Sequence, residues 1–185
     1  MFHKQRVHSY IDMVVKICSE RAQGWDEGAF EDESLARLRG DLMKEMDVAV
    51  PVLEFNKREG KRRKETRENT IDGRRHERDV VDVIIPFSGD SVAFDIAPST
   101  QTLMHGTRAH VAPTSLTLTF EDNDRLETNL ADTVRVIEAN LQHLARDLES
   151  LPSQLTDAVD AVVKARKANI DRKRELDAKR SFPIR

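Results

Sequence analysis

From Leu126 to Val162 the large apolar residues recur at steps of three and four: Leu126, Leu130, Val134, Ile137, Leu141, Leu144, Leu148, Leu151, Leu155, Val159 and Val162. Between Leu130 and Leu151 the steps alternate four and three, which is the spacing of a heptad seam. An α-helix returns to the same side every 3.6 residues, so this pattern gathers the apolar side chains into one stripe that has to be covered. A straight helix over residues 126–178 would be about 80 Å long. One small body cannot cover that length, so part of the arm must meet another chain, fold back or stay exposed. Pro152 interrupts the stripe, because a proline inside a helix removes a hydrogen bond and clashes with the preceding turn. A kinked helix and a helical hairpin both satisfy the spacing there.

The remainder reads as a smaller mixed body. Val7, Ile11, Val14, Val15, Cys18 and Ala22 recur at helical spacing, with Gly24 placed as a C-cap. Ser34 is a candidate N-cap for a second helix carrying Leu35, Leu38, Leu42 and Met46, ended by Pro51. Val52 to Phe55 could form a short strand. Lys57 to Arg78 is almost free of apolar residues and reads as a mobile loop or an exposed hairpin. Val81, Val83 and Ile85 share one parity in a strand over 79–87, and Pro86 suggests an edge or a termination. Ser88-Gly89-Asp90 is a turn, and an apolar patch from Val92 to Ile96 closes at Pro98. Leu116, Leu118 and Phe120 alternate with Ser115, Thr117 and Thr119, the clearest period-two strand, paired in a hairpin with 108–112. Ser181-Phe182-Pro183-Ile184 stops the last helix. The expected fold is α+β: two N-terminal helices, a small and mostly antiparallel sheet, and a long heptad-patterned C-terminal arm. Residues 1–124 would form the body, with a basic loop at 57–78, and residues 125–180 the arm.

Charge is strongly segregated. Net charge is −4 over residues 1–56, +5 over 57–78, −10 over 79–163 and +6 over 164–185, for −3 in all. Such blocks can steer nucleic acid, neutralise each other or stand solvated. Candidate phosphate contacts are Arg62, Arg63 and Lys64 in the first basic island and Arg166, Lys167, Arg172, Lys173 and Arg174 in the second. Neither island is interleaved with aromatic residues, so base stacking is not expected.

Reactive constellations are sparse. The single cysteine, Cys18, excludes an intramolecular disulfide. His3, His8, His76, His105, His110 and His143 show no HxxxH or HExxH spacing, and no metal or cofactor is expected. His105 and His110 flank a turn that His76 could approach. Glu59-Gly60-Lys61, with Asp47 upstream, matches half of a metal-dependent nuclease pattern, but in a polar run rather than on a buried strand. Ser88-Gly89-Asp90-Ser91 lacks the glycines of a phosphate loop or nucleophile elbow. With no signal-peptide pattern at Met1-Phe2-His3-Lys4 and no apolar run of about 18 residues, the chain reads as cytosolic and not membrane-bound, keeping its N-terminus. Nine aromatic residues leave the body a thin core. The heptad face of Leu130, Val134, Ile137, Leu141, Leu144 and Leu148 is then the candidate surface for self-association or for an effector protein.

One stretch carries a resemblance. Val83-Ile84-Ile85-Pro86-Phe87-Ser88-Gly89-Asp90, followed by Phe94 and by Ala97-Pro98-Ser99, resembles an IPF-[ST]-GD-x-x-x-F-x-x-x-PS signature of uncharacterised bacterial proteins. In those proteins a hairpin, a long helix and a terminal [GF]-[IVF]-P-[LI]-[RK] segment follow. Here 108–120, 124–179 and Phe182-Pro183-Ile184-Arg185 occupy those places, so the resemblance spans roughly residues 45–185 and includes Val50-Pro51-Val52-Leu53. It implies a module that precedes a PD-(D/E)XK nuclease-like domain in restriction or anti-phage contexts. No catalytic residue carries over, because the matched positions are turns, strand ends and apolar anchors. The expected function is a non-catalytic interaction or regulatory module of a bacterial anti-phage system that oligomerises or holds an effector. The alternatives are a nucleic-acid-binding accessory protein and, further off, a metal-dependent nuclease.

Overall fold

The computed structural model describes residues 1–30, 32–68, 75–102 and 108–180. His105 and the segment Ser181-Phe182-Pro183-Ile184-Arg185 lie outside them, as do Asn69, Ile71, Gly73 and Arg74. In chain order the elements are β1 (Gln5–Arg6), α1 (Val7–Gln23), a 3-10 turn (Glu27–Phe30), α2 (Asp32–Met46), β2 (Val52–Leu53), a 3-10 turn (Phe55–Lys57), β3 (Glu59–Glu68), β4 (Arg75–Ser88), a 3-10 turn (Ser91–Asp95), β5 (Ile96–Ala97), β6 (Arg108–Val111), β7 (Ser115–Glu121), α3 (Leu126–Leu148) and α4 (Leu151–Ala178). The fold is α+β, as the sequence leads one to expect.

The chain divides into two compact units: Met1–Val7 with Val48–Asp147, and His8–Asp47 with the residues from Leu148 onward. This is not the division at residue 124 that the sequence suggests. Helix α3 belongs with the sheet, and the two N-terminal helices belong with α4.

The first unit is built around β4. Strands β2 and β3 pair with one side of it in succession and β7 with the other, and β6 pairs with β7, all antiparallel. A second, two-stranded parallel pair joins β1 to β5. So β4 is the central strand, despite Pro86. The reason is local. In an antiparallel strand a residue's N–H and C=O point the same way. The Pro86 carbonyl accepts from Glu54 N at 2.8 Å. The missing N–H therefore faces the point where the chain leaves β2 for the Phe55–Lys57 turn, and no ladder bond is lost. The segment expected as a loop or hairpin over 57–78 supplies β3 and the start of β4, two arms of a hairpin. Its charged residues suit an edge strand, where they discourage pairing with another chain.

Val83, Ile85 and Phe87 of β4 and Leu116, Leu118 and Phe120 of β7 form the inner face. Helix α3 covers it with Leu130, Val134, Ile137 and Leu141, and Phe94 and Phe2 close one end. Phe94 is fully buried, 5.1 Å from Phe87 in an edge-on arrangement and 6.0 Å from Phe2. Asn123 starts α3: its backbone carbonyl accepts from Leu126 N at 3.0 Å and its side-chain oxygen from Arg125 N at 3.0 Å.

Three polar clasps hold the loops of this unit. Asp90 N donates to Ala49 O at 2.7 Å, and Ala49 N donates to Asp90 Oδ2 at 2.8 Å. Asp147 accepts from Ser99 N at 2.6 Å and from Ser99 Oγ at 2.7 Å. Asn140, fully buried, accepts from Thr102 N at 2.8 Å and donates to Thr102 O at 2.9 Å, imitating a backbone partner. These clasps and the Phe94 cluster give three of the signature residues, Asp90, Phe94 and Ser99, roles in forming the fold.

The second unit is helical. Helix α1 buries Tyr10, Ile11, Val14, Cys18 and Ala22. Gly24 caps it, donating to Glu20 O and Arg21 O at 3.2 and 3.1 Å. Helix α2 buries Leu35 and Leu42; it begins at Asp32, which puts Ser34 within its first turn. Helix α4 buries Leu151, Leu155, Val159, Val163 and Ile170. Helix α3 ends at Leu148 and α4 begins at Leu151, so the break falls at 149–150, before Pro152. A proline ring collides with the carbonyl four residues back, here that of Leu148, so the strain falls upstream. Ser150 keeps right-handed helical dihedrals, and its carbonyl accepts from Gln154 N at 3.1 Å. Pro152 then sits in the first turn of α4, where no donor is needed.

Candidate partner-binding surfaces

The heptad face is not a free surface. Leu130, Val134, Ile137 and Leu141 lie in the core with the inner face of the sheet, and Leu144 and Leu148 are also buried. Alternating spacings of three and four suit a helix on a sheet as well as a helix on a helix. What decides is that β7 runs straight into α3, so the nearest uncovered face is the chain's own.

The first basic island is engaged by acids of the same unit. Across the outer face of the sheet, Lys61 of β3 pairs with Asp82 of β4, Asp82 with Thr119 of β7, and Thr119 with Arg108 of β6. Arg63 donates twice to Asp82, Nε at 2.6 Å and Nη2 at 3.1 Å, and Thr119 Oγ1 donates at 2.6 Å. Arg108 reaches Glu65 at 2.5 Å, Arg62 reaches Asp122 at 2.5 Å and Lys64 reaches Glu77 at 3.4 Å; Arg78 pairs with Glu121. Asp82, Glu121 and Asp122 belong to the acidic middle of the chain, so the two charge blocks neutralise each other across the sheet. The Arg63 hydrogen bond, then the Thr119 hydroxyl and the Arg63 charge, hold the Asp82 carboxyl below its ordinary value against the opposing effect of burial.

That shift has a consequence for acid stability. A depressed carboxyl contributes stability that is complete above its unfolded value and is lost as pH falls through its folded value. Asp82→Asn is therefore expected to flatten the acid limb of the stability curve while lowering stability at neutral pH. Thermal melts from neutral to acid pH would check this; parallel curves for the two proteins would show that the pair contributes nothing.

In the second island, Arg166 Nη2 donates to Trp25 O at 3.0 Å and its guanidinium lies 5.5 Å from the centre of the Phe30 ring. Lys173 reaches Glu27 at 3.4 Å. Lys167 lines a groove with Lys164 and Arg39. Arg172 and Arg174 are exposed. The two islands fall in different units, so the sequence grouping of eight cations is not one continuous patch within either.

Among the described residues no three His, Cys, Asp or Glu side chains gather where they could hold a metal. Glu59 and Lys61 are exposed on the edge strand β3. Cys18 is buried, and burial raises its thiol pKa, which favours the unreactive thiol over the thiolate. Among the described residues no helix is long and apolar enough to cross a membrane.

A groove that the sequence reading missed lies in the first unit. It has a volume of about 410 Å³ and runs between Val50-Pro51-Val52-Leu53 and the α3 residues Glu138, Leu141, Gln142 and Ala145. Val52 is 65% exposed. The sequence signal for it was the run of apolar residues at 50–53, which a two-residue strand cannot bury on both faces. Asp90 holds this wall through its hydrogen bonds with Ala49, and Gly89 leaves no room for a Cβ against the backbone of residues 49–51.

No family model, no curated protein and no solved structure matches the chain.

Proposed function

We propose that the chain is a non-catalytic interaction and regulatory module that holds an effector partner in the bacterial cytoplasm, in the anti-phage setting that its signature resemblance implies. The observation that carries this reading is the apolar groove beside β2. An exposed valine on a short edge strand, next to a helix wall of Leu141 and Ala145, offers both backbone pairing and apolar contact to an extended segment. The partner grips this rim in place of the heptad stripe, which the chain uses for its own core.

The test is co-elution with the protein encoded beside it, measured by light scattering after gel filtration. Val52→Asp should abolish the complex while moving the melting temperature by less than about 2 °C, as expected for an exposed site. Equal co-elution of the variant, or no complex with the unaltered chain, would remove the reading. The exposed Arg172 and Arg174 on α4 favour a second reading, a nucleic-acid-binding accessory protein, but the hairpin cations of that reading are already paired with carboxylates.

A further inference from the structure

In the first unit the segment Met1–Arg6 lies against the core as a strap. Phe2 is buried, with 1% of its surface exposed, and its ring stands 6.0 Å from that of Phe94. Phe2 N donates to Phe94 O at 2.5 Å, Lys4 N donates to Asp95 O at 3.1 Å, and Gln101 Nε2 donates to Phe2 O at 2.9 Å. Lys4 Nζ reaches Asp95 Oδ2 at 2.9 Å, and Gln5 and Arg6 pair with Ile96 and Ala97. The seat thus recognises a particular sequence: an aromatic ring, then a cation two residues on, along an extended chain. It has anchors of its own, because Ser99 is held by Asp147 and Thr102 by Asn140. The strap is held more thinly. Its ladder covers two residues, and its ion pair is 65% and 39% exposed, so that pair contributes little. Phe2 has φ of +56°, a region that bulky residues rarely adopt, so docking the ring strains the backbone. No residue separates β1 from α1, and the boundary between the two units falls at Val7–His8. A strap that leaves its seat therefore projects as an arm from the start of α1.

We propose that two copies of the chain exchange this strap, Met1–Arg6 of each filling the Phe94–Gln101 seat of the other. The chemistry of the seat fixes the occupant. The ring contact, the three hydrogen bonds to backbone, the Lys4–Asp95 pair and the two ladder pairs all re-form between copies, because the incoming segment is identical. The strain at Phe2 is the same in both forms, so it eases release of the strap without penalising exchange. What exchange adds is the cost of bringing two chains together, which concentration offsets. The hinge at Arg6–Val7 is short, and short hinges are where such exchange is favoured. This route to self-association does not use the heptad stripe, and it leaves the groove beside β2 free.

The test uses the full chain. Light scattering after gel filtration should show a dimer whose fraction rises with concentration. Lys4→Glu and Asp95→Lys, made in separate preparations, each set like charges against one another within a single copy. In an exchanged pair of one Lys4→Glu copy and one Asp95→Lys copy, both straps meet an opposite charge. At low salt the equimolar mixture should therefore dimerise about tenfold more tightly than either variant alone. Both positions are exposed, so these variants keep the fold. Contact is read separately by NMR. A spin label on His3→Cys in one preparation should broaden the amide signals of Phe94, Ile96 and Ala97 in an isotope-labelled preparation of the unaltered chain. A strict monomer at high concentration overturns the proposal. A mixture that dimerises no better than its components, or broadening confined to other residues, also overturns it by assigning the dimer to another surface. Val52→Asp should dimerise like the unaltered chain, and loss of its dimer would move the interface to the groove beside β2.

Discussion

Phe94→Ala is expected to destabilise the protein by about 3–5 kcal/mol and to lower its melting temperature by roughly 10 °C. Phe94 is fully buried beside Phe87 and Phe2, in the core that the sheet shares with α3. Its backbone carbonyl also accepts from Phe2 N at 2.5 Å, so the ring and the chain together seat the N-terminal segment against the core. Truncation would leave a ring-sized cavity with rigid walls. Collapse is opposed by the 3-10 turn over Ser91–Asp95, which leads directly into β5. Chemical denaturation monitored by circular dichroism measures the effect. A loss below about 1 kcal/mol would mean that the site relaxes freely and the ring is no anchor.

Gly89→Ala is the second large effect, expected at about 2–3 kcal/mol. Gly89 has φ of +100°, a region that side chains other than hydrogen rarely enter. An added Cβ would stand 2.8 Å from Ala49 O and 3.0 Å from both Pro51 Cα and Val50 O. All three are backbone atoms, so no rotamer change relieves the contact. The displaced segment is the one held by the Asp90 clasp, and it forms a wall of the groove beside β2. Gly89→Ala should therefore weaken partner binding as well as stability, whereas Val52→Asp should weaken binding alone. If Gly89→Ala melts like the unaltered protein, the turn has room that the geometry denies it.

Several elements were legible in advance because their signals are local. The alternation at 115–120 sets one inner face of β7, and its hairpin with β6 follows from the turn signal between them. Gly24 closes α1 where the spacing ends. Other features depended on which partner each element met. Pro86 reads as an edge residue until the carbonyl direction places its missing donor at a gap in the ladder. The charge blocks left the cations at 57–78 open to nucleic acid, to the acidic middle or to solvent, and it is strand register, not sequence proximity, that brings Asp82, Glu121 and Asp122 beside them. The groove at Val50–Leu53 required α3 beside β2, which no pattern in either segment encodes.

The sequence by itself determined that the chain would be α+β, where its long helices would run, and that Leu130, Val134, Ile137 and Leu141 would share a stripe, because side-chain periodicity follows from backbone geometry. Only the tertiary structure decided what that stripe touches. A heptad spacing specifies a surface that must leave water without naming its cover, and here the sheet of the same chain is the cover. The exposed Val52 on the short edge of β2 is likewise a feature that no periodicity marks, because it depends on which element α3 packs beside.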